Sequence, residues 1–205
     1  MIVVIDYGMG NLGSVANMLK KVGAKAVISS DPAIIEKAEK LILPGVGAFD
    51  NGMRKLNDRG LTPILAGKVV EEKTPILGFC LGMQLFTRSS EEGVLPGLGW
   101  IDATTVRFRF TQDQGDLKIP HMGWNHITIK SPSPLLEDMY PNARFYFVHS
   151  YHVVCRDEEN VAATTLYGHE FTSAVVRGNI AGTQFHPEKS HRFGMKVFRN
   201  FVERY

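Results

Sequence analysis

Residues 75–89 read Pro75-Ile-Leu-Gly-Phe-Cys-Leu-Gly-Met-Gln-Leu-Phe-Thr-Arg-Ser89. Residues 75–79 form an apolar run of strand length behind a proline, and residues 81–89 return as a helix. A buried strand turning directly into a helix is half of a βαβ unit, and the N-terminal half of the chain repeats the pattern. Residues 2–5 are short, apolar and β-branched, as a buried parallel strand requires. Residues 11–22 place Leu12, Val15, Ala16, Leu19 and Val22 on one helical stripe. Residues 26–29 read as a second strand, and Asp31-Pro32 as an N-cap followed by a proline at the first helical position. Residues 41–43 form a third strand that ends at Pro44-Gly45. Two helical stretches, around 49–56 and 63–72, lead back to the quoted segment.

Beyond Trp100 the pattern changes to β-branched and aromatic runs separated by turn residues. Residues 103–108, 125–129, 144–154, 161–166, 172–176 and 180–185 read as antiparallel strands or hairpins, with Arg177-Gly-Asn179 as a turn. A last helix carries Phe193, Val197, Phe198 and Phe201 on one side. No linker, repeat or low-complexity segment divides the halves. The expectation is one α/β domain over residues 1–205: a central, largely parallel sheet flanked by helices, with an antiparallel, β-rich C-terminal half.

The 205 residues are 44% hydrophobic and 21% charged with a formal net charge of +2, which excludes disorder and fibrous repeats. Basic residues cluster locally but form no phosphate-tracking stripe, so nucleic acid is not expected as a partner. No apolar run reaches membrane-spanning length, and the N-terminal run has no basic region before it, so neither a membrane nor a signal peptide is expected. With Cys80 and Cys155 as the two thiols, a disulfide framework or paired-cysteine zinc site cannot be built. The reading is a cytoplasmic protein with reduced cysteines.

Two glycine-rich turns compete for the chemistry. Gly8-Met-Gly-Asn-Leu-Gly13 follows a strand and opens a helix, and Asp31 lies after the next strand, where a ribose-binding acid would sit. That keeps a dinucleotide-binding oxidoreductase open. Against it, Asp6 and Tyr7 intervene before the first glycine, and Asp31 is accounted for as a helix cap. The second turn, Gly78-Phe-Cys-Leu-Gly82, has the pattern of a nucleophile elbow with cysteine in place of serine. Its glycines allow a tight, strained turn that projects the thiol at the N-terminus of the next helix. There the helix dipole favours thiolate, and the Leu81 N–H can face a developing oxyanion. Of seven histidines, His186 has Glu188 two positions on with Pro187 between them. In extended chain, residues two apart share a face, so Glu188 could orient the imidazole and leave its other nitrogen for the thiol. The competing reading is a charged turn before the last helix.

Pro44-Gly-Val-Gly47, Gly78-Phe-Cys-Leu-Gly-Met-Gln84 and His186-Pro-Glu-Lys189 together resemble the triad-type (class I) glutamine amidotransferases. Asp6-Tyr-Gly-Met-Gly-Asn-Leu12, Pro120-His-Met-Gly-Trp-Asn125 and Tyr146-Phe-Val-His-Ser-Tyr151 extend the resemblance, from first strand to last helix, to the glutaminase subunits of imidazole glycerol phosphate synthase. The resemblance implies a catalytic set of Cys80, His186 and Glu188 acting on L-glutamine through a thioester. It implies oxyanion donors at Leu81 and at Val46 or Gly47, and substrate contacts at Gly47, Gln84, His149, Ser150 and Tyr151. It also implies a cyclase (synthase) partner in a heterodimer, met through Asn11, Trp124 and Asn125, with no metal or organic cofactor. His191 departs from the small or polar residue more usual there. A paralogous glutaminase supplying ammonia for surface-sugar nitrogen transfer therefore stays open, as does a catalytically silent subunit.

Overall fold

The computed structural model describes residues 1–112 and 117–205. The N-terminal half follows the alternation of its sequence: β1 (Ile2–Ile5), α1 (Leu12–Lys21), β2 (Ala26–Ser29), α2 (Pro32–Ile35), β3 (Lys40–Gly45), α3 (Phe49–Asp58), α4 (Leu61–Ala66), β4 (Ile76–Cys80) and α5 (Leu81–Leu85). The C-terminal half is β5 (Ser89–Ser90), β6 (Ala103–Arg107), β7 (His121–His126), β8 (Thr128–Ile129), β9 (Arg144–His149), β10 (Tyr151–Cys155), β11 (Val161–Tyr167), β12 (His169–Arg177), β13 (Ile180–Thr183) and α6 (His191–Arg204). Among the described residues, no helix is long and apolar enough to cross a membrane.

One sheet runs in the order β2-β1-β3-β4-β13-β12-β10-β6-β5, with β11 and β8 branching from β12. The β2 to β13 portion is parallel, and the strands beyond it are antiparallel except for β5 against β6. A separate antiparallel ribbon pairs β7 with β9, His121 opposite His149 and Asn125 opposite Phe145. Successive strand residues face opposite sides. Val3 and Ile5 accordingly join one core with α3 and α4 (Phe49, Met53, Leu56, Leu61, Leu65), while Ile2 and Val4 join another with α1 and α6 (Val15, Leu19, Phe198, Phe201). Burial on both faces is why these strands read as unbroken apolar runs.

The structure departs from the sequence reading at the ends of several elements. Strand β3 continues through Pro44 and Gly45, which pair with Phe79 and Cys80. The proline is tolerated because β1 pairs with β3 no further than Ile42, leaving a ladder on one side. Helix α5 stops at Leu85 instead of continuing to 89. Phe86 N and Thr87 N close onto Met83 and Gln84, and Thr87 Oγ1 takes the Gln84 carbonyl at 2.8 Å, releasing Ser89-Ser90 to pair with β6. The segment 125–129 divides between the β9 ribbon and β11, and 144–154 breaks at Ser150 into β9 and β10.

Candidate active site

Cys80 closes β4 and begins α5 with φ 50° and ψ −108°, a conformation costly for any residue with a Cβ. Its neighbours explain how the strain is held. A Cβ on Gly82 would lie 1.8 Å from the Leu43 carbonyl oxygen, and one on Gly78 2.6 Å from the Phe86 ring. The elbow is pressed so closely onto β3 that glycine alone fits. The short α5 gives the sulfur less dipole than the nine-residue helix read from sequence, since partial charges of a helix end grow with its aligned peptides.

His186 follows β13, the strand parallel to β4, with Thr183 in register with Phe79. Cysteine and histidine therefore emerge side by side from the C-terminal ends of neighbouring parallel strands, where open α/β sheets bind ligands. The imidazole is 1% and the Glu188 carboxylate 4% exposed, and Nδ1 lies 2.8 Å from Oε1. The route differs from the sequence argument: Pro187–Lys189 is a 3₁₀ turn, not extended chain, and it curls the carboxylate back onto the ring. Ser190 secures that turn, donating to the His186 carbonyl at 2.6 Å and accepting from Tyr146 N at 3.0 Å. Nε2 is buried without a hydrogen bond of ordinary length. Burial opposes charge on this ring, but Cys80 and Glu188 outweigh it and push His186 up to about 10.

Cys80 and His186 open into a cavity of about 400 Å³ lined also by Val46, Gly47, Ala48, Gln84, Glu92, Pro120 and residues 148–151, a size suited to a small-molecule ligand. Gly47, at φ +105°, ends the turn after β3, and Val46 is exposed. Gln84 is buried, its Nε2 donating to the Tyr151 carbonyl at 3.1 Å and to Gln184 Oε1 at 3.2 Å. It is thus no solvated helix residue. His149 hydrogen-bonds His121 at 3.1 Å and the Tyr151 carbonyl at 2.8 Å. Burial holds His149 well below its usual value and lowers His121 and His152 to about 4, so this aromatic cluster is neutral.

Two residues in or beside the site escaped sequence reasoning. Glu92 lines the cavity, held by Phe49 N at 2.8 Å on Oε2, but it sits in a loop with no motif. Gln184, fully buried, donates from Nε2 to Cys80 Sγ at 3.7 Å. Its signal was its place two residues before His186.

The residues expected at a partner face lie apart from the cavity floor. Trp124 is 43% exposed, stacked on His191 at a 3° interplanar angle and edge-on to Tyr146, over which Lys189 sits at 5.6 Å. Asn125 is engaged internally, donating to the Leu166 carbonyl at 3.0 Å, and Asn11 caps α1 by accepting from Ser14 N. The Gly8–Gly13 turn is folded onto protein: Lys55 Nζ holds the Gly8 carbonyl at 2.9 Å, and a Cβ on Gly10 would meet Pro44 at 3.2 Å. Asp31 caps α2 through Ala33 N at 2.9 Å. Among the described residues, no group of three or more His, Cys, Asp or Glu could hold a metal ion.

Residues 3–205 match the family described as "Glutamine amidotransferase class-I". The chain is 57% identical over 203 residues to "Imidazole glycerol phosphate synthase subunit HisH 2" of Methanococcus maripaludis, covering 99% of each chain. It is 54% identical over 203 residues to the protein of the same name from Pseudomonas aeruginosa, again covering 99% of each. Among solved structures it resembles PurLQS from Thermotoga maritima, with TM-score 0.71 at 20% identity over 98% of this chain and 96% of that one, a likeness of fold.

Proposed function

The chain belongs to the class-I glutamine amidotransferase family, and from that premise we propose the reaction and its residues. The protein is the glutaminase subunit of imidazole glycerol phosphate synthase, acting in the cytoplasm in histidine biosynthesis. It hydrolyses L-glutamine to L-glutamate and ammonia. The ammonia passes to a cyclase partner that makes imidazole glycerol phosphate and the aminoimidazole carboxamide ribotide by-product. The observation that carries this reading is the cavity holding the strained Cys80 beside the buried His186–Glu188 pair.

His186 Nε2 takes the thiol proton and the Cys80 sulfur attacks the side-chain amide carbon. The tetrahedral oxyanion is received by the Leu81 N–H and an N–H of the turn at Val46 or Gly47, each such donor contributing ~3–4 kcal/mol to the transition state. His186 returns its proton to the departing ammonia, leaving the thioester, and then activates water to release glutamate. Glu188 fixes the tautomer and supports the imidazolium. Gly47, Gln84 and the 149–151 backbone hold the glutamine, and the Glu92 carboxylate is suited to its α-ammonium group.

Trp124, Asn11 and Asn125 mark the partner face. The contacts from Trp124 to Tyr146 to Lys189, with α1 packed on the 187–189 turn, support one continuous surface there.

The test is glutamate release by the purified protein with and without co-expressed cyclase. Partner-stimulated turnover that disappears in Cys80→Ala and His186→Ala is expected. Equal trace release in all three proteins would leave a silent subunit. NAD(H) binding by calorimetry would revive the oxidoreductase reading, and stimulation by a sugar-modifying synthase but not the cyclase would revive the paralogue.

A further inference from the structure

Gln184 stands at the end of a hydrogen-bond chain whose direction is set by the group at its other end. The Tyr151 carbonyl can only accept, so the Gln84 amide 3.1 Å away must present its Nε2. The second proton of that nitrogen points to Gln184 at 3.2 Å, so Gln184 must meet it with Oε1. An amide that accepts at its oxygen presents N–H at its other corner, and there Nε2 faces Cys80 Sγ at 3.7 Å. Turning either amide over would set carbonyl oxygen against carbonyl oxygen, or oxygen against sulfur, inside a buried site. Both side chains are buried, Gln184 completely, so no solvent can substitute for a lost partner.

The sulfur has a different neighbour for each of its protonation states. The Val148 carbonyl, 3.9 Å away, can accept from the thiol but has nothing to offer an anion. Gln184 Nε2–H donates best to an anion.

We propose that Gln184 is a further catalytic residue of the glutaminase reaction, its Nε2–H donating to the Cys80 thiolate with a polarity imposed through Gln84 by the Tyr151 carbonyl. The inference rests on the reading of Cys80 as the nucleophile. The proton balance is unchanged: the thiol proton goes to His186, the C–S bond forms, and the C–N bond breaks as His186 protonates ammonia. Gln184 transfers no proton; it stabilises the charge on sulfur before attack and again as hydrolysis of the thioester returns it. Because Gln84 also lines the cavity, one amide touches both the substrate space and the chain that polarises the nucleophile.

The test compares wild type, Gln184→Met and Gln184→Glu as purified full-length protein with the cyclase present. Iodoacetamide labelling of Cys80 is followed by peptide mapping, so that Cys155 is counted separately. Gln184→Met removes the donor, and labelling at pH 7 is expected to slow about 10–100-fold, the value of one hydrogen bond to a charged group. The rate should recover at high pH, where the thiol ionises in either protein. Gln184→Glu keeps the acceptor for Gln84 but turns a carboxylate oxygen toward the sulfur, and should label more slowly than Gln184→Met. Both should lose kcat with KM for glutamine held within about threefold, a split that loosened packing alone would not give. Should either variant fail to fold, the unsubstituted protein answers by nitrogen-15 NMR. The Gln184 side-chain amide resonance is expected to move when Cys80 is carbamidomethylated, and an unmoved resonance would overturn the proposal. Wild-type labelling rates in both folded variants would overturn it too. Failure of the underlying reading looks different: a diazoketone analogue of glutamine would then leave wild-type Cys80 unmodified and glutamate release would not depend on Cys80.

Discussion

Replacing Gly82 with alanine tests the elbow at its tightest contact. The added Cβ would sit 1.8 Å from the Leu43 carbonyl oxygen and 2.9 Å from its carbon, both backbone atoms. Real Cβ contacts are not found below 3.0 Å, so α5 must retreat from β3 by at least 1.2 Å, the difference between 3.0 and 1.8. It cannot take β4 with it, because β3 and β4 are locked in register from Leu41–Ile76 to Gly45–Cys80. The displacement therefore falls on the junction of locked strand and retreating helix, the turn from Cys80 to Leu81. Overpacking of this kind costs about 1–3 kcal/mol of stability, and a misplacement near 1 Å costs about 10²-fold in rate. Gly67→Ala is the control, since a Cβ there meets nothing within 4 Å and the backbone is right-handed helical. Stabilisation of about 0.4–1 kcal/mol is expected from it, with activity unchanged. Denaturant unfolding and glutamate release with the cyclase present read both quantities. A Gly82→Ala protein that melts with wild type and keeps its turnover within threefold would refute the steric account of the elbow.

Three further outcomes follow from the site. Glu188→Gln removes the charge at 2.8 Å from His186 Nδ1 while keeping the shape, so kcat should fall by about 10²–10⁴-fold with the fold intact in circular dichroism; turnover within tenfold of wild type would remove Glu188 from the mechanism. Glu92→Gln should raise KM for glutamine about 10–100-fold, the loss of a charged hydrogen bond, with kcat little changed; steady-state kinetics showing the reverse split would contradict the ammonium contact. Stability should fall on both sides of neutrality, for opposite reasons. The lowered values of His121, His149 and His152 mean that the unfolded chain binds more protons, so their contribution is present above pH 6.5 and lost toward pH 4. The raised value of His186 works the other way, contributing fully below pH 6.5 and being lost as pH rises through about 10. Each limb slopes by at most about 1.4 kcal/mol per pH unit per ring. Urea unfolding from pH 4.5 to 9.5 measures it, and an acid limb that His152→Phe does not flatten would exclude His152 from the cause.

Legibility in the sequence tracked the range of the forces involved. Ile2–Ile5 was readable to the residue because a parallel strand buried on both faces writes an unbroken apolar run; Ala26–Ser29 was readable from its β-branched residues, although as the edge strand it leaves Val27 and Ile28 exposed. Asp31 was readable as a cap because a cap bonds within three residues, whereas the capping role of Asn11 emerged only from the structure. The ends of α5, the split of 144–154 and the pairing of 121–126 were not, since each is decided by a strand distant in sequence. The His186–Glu188 contact was anticipated from extended geometry, yet a 3₁₀ turn makes it, because Ser190 reaches back to His186 and Tyr146 holds Ser190.

Local pattern along the chain carried the class of fold, the elbow and the three residues proposed here as the triad. Those are local quantities: a period of apolar residues, two glycines astride a cysteine, a carboxylate two positions from a histidine. The tertiary structure alone decided that β13 inserts beside β4, which places His186 near Cys80 across more than half the chain. It alone brought Glu92 to the cavity, and it alone gave the Gln184 amide a direction, because the Tyr151 carbonyl that sets it lies on another strand. Hydrogen-bond polarity is transmitted through space between groups that share no pattern along the chain. No reading of one dimension contains it.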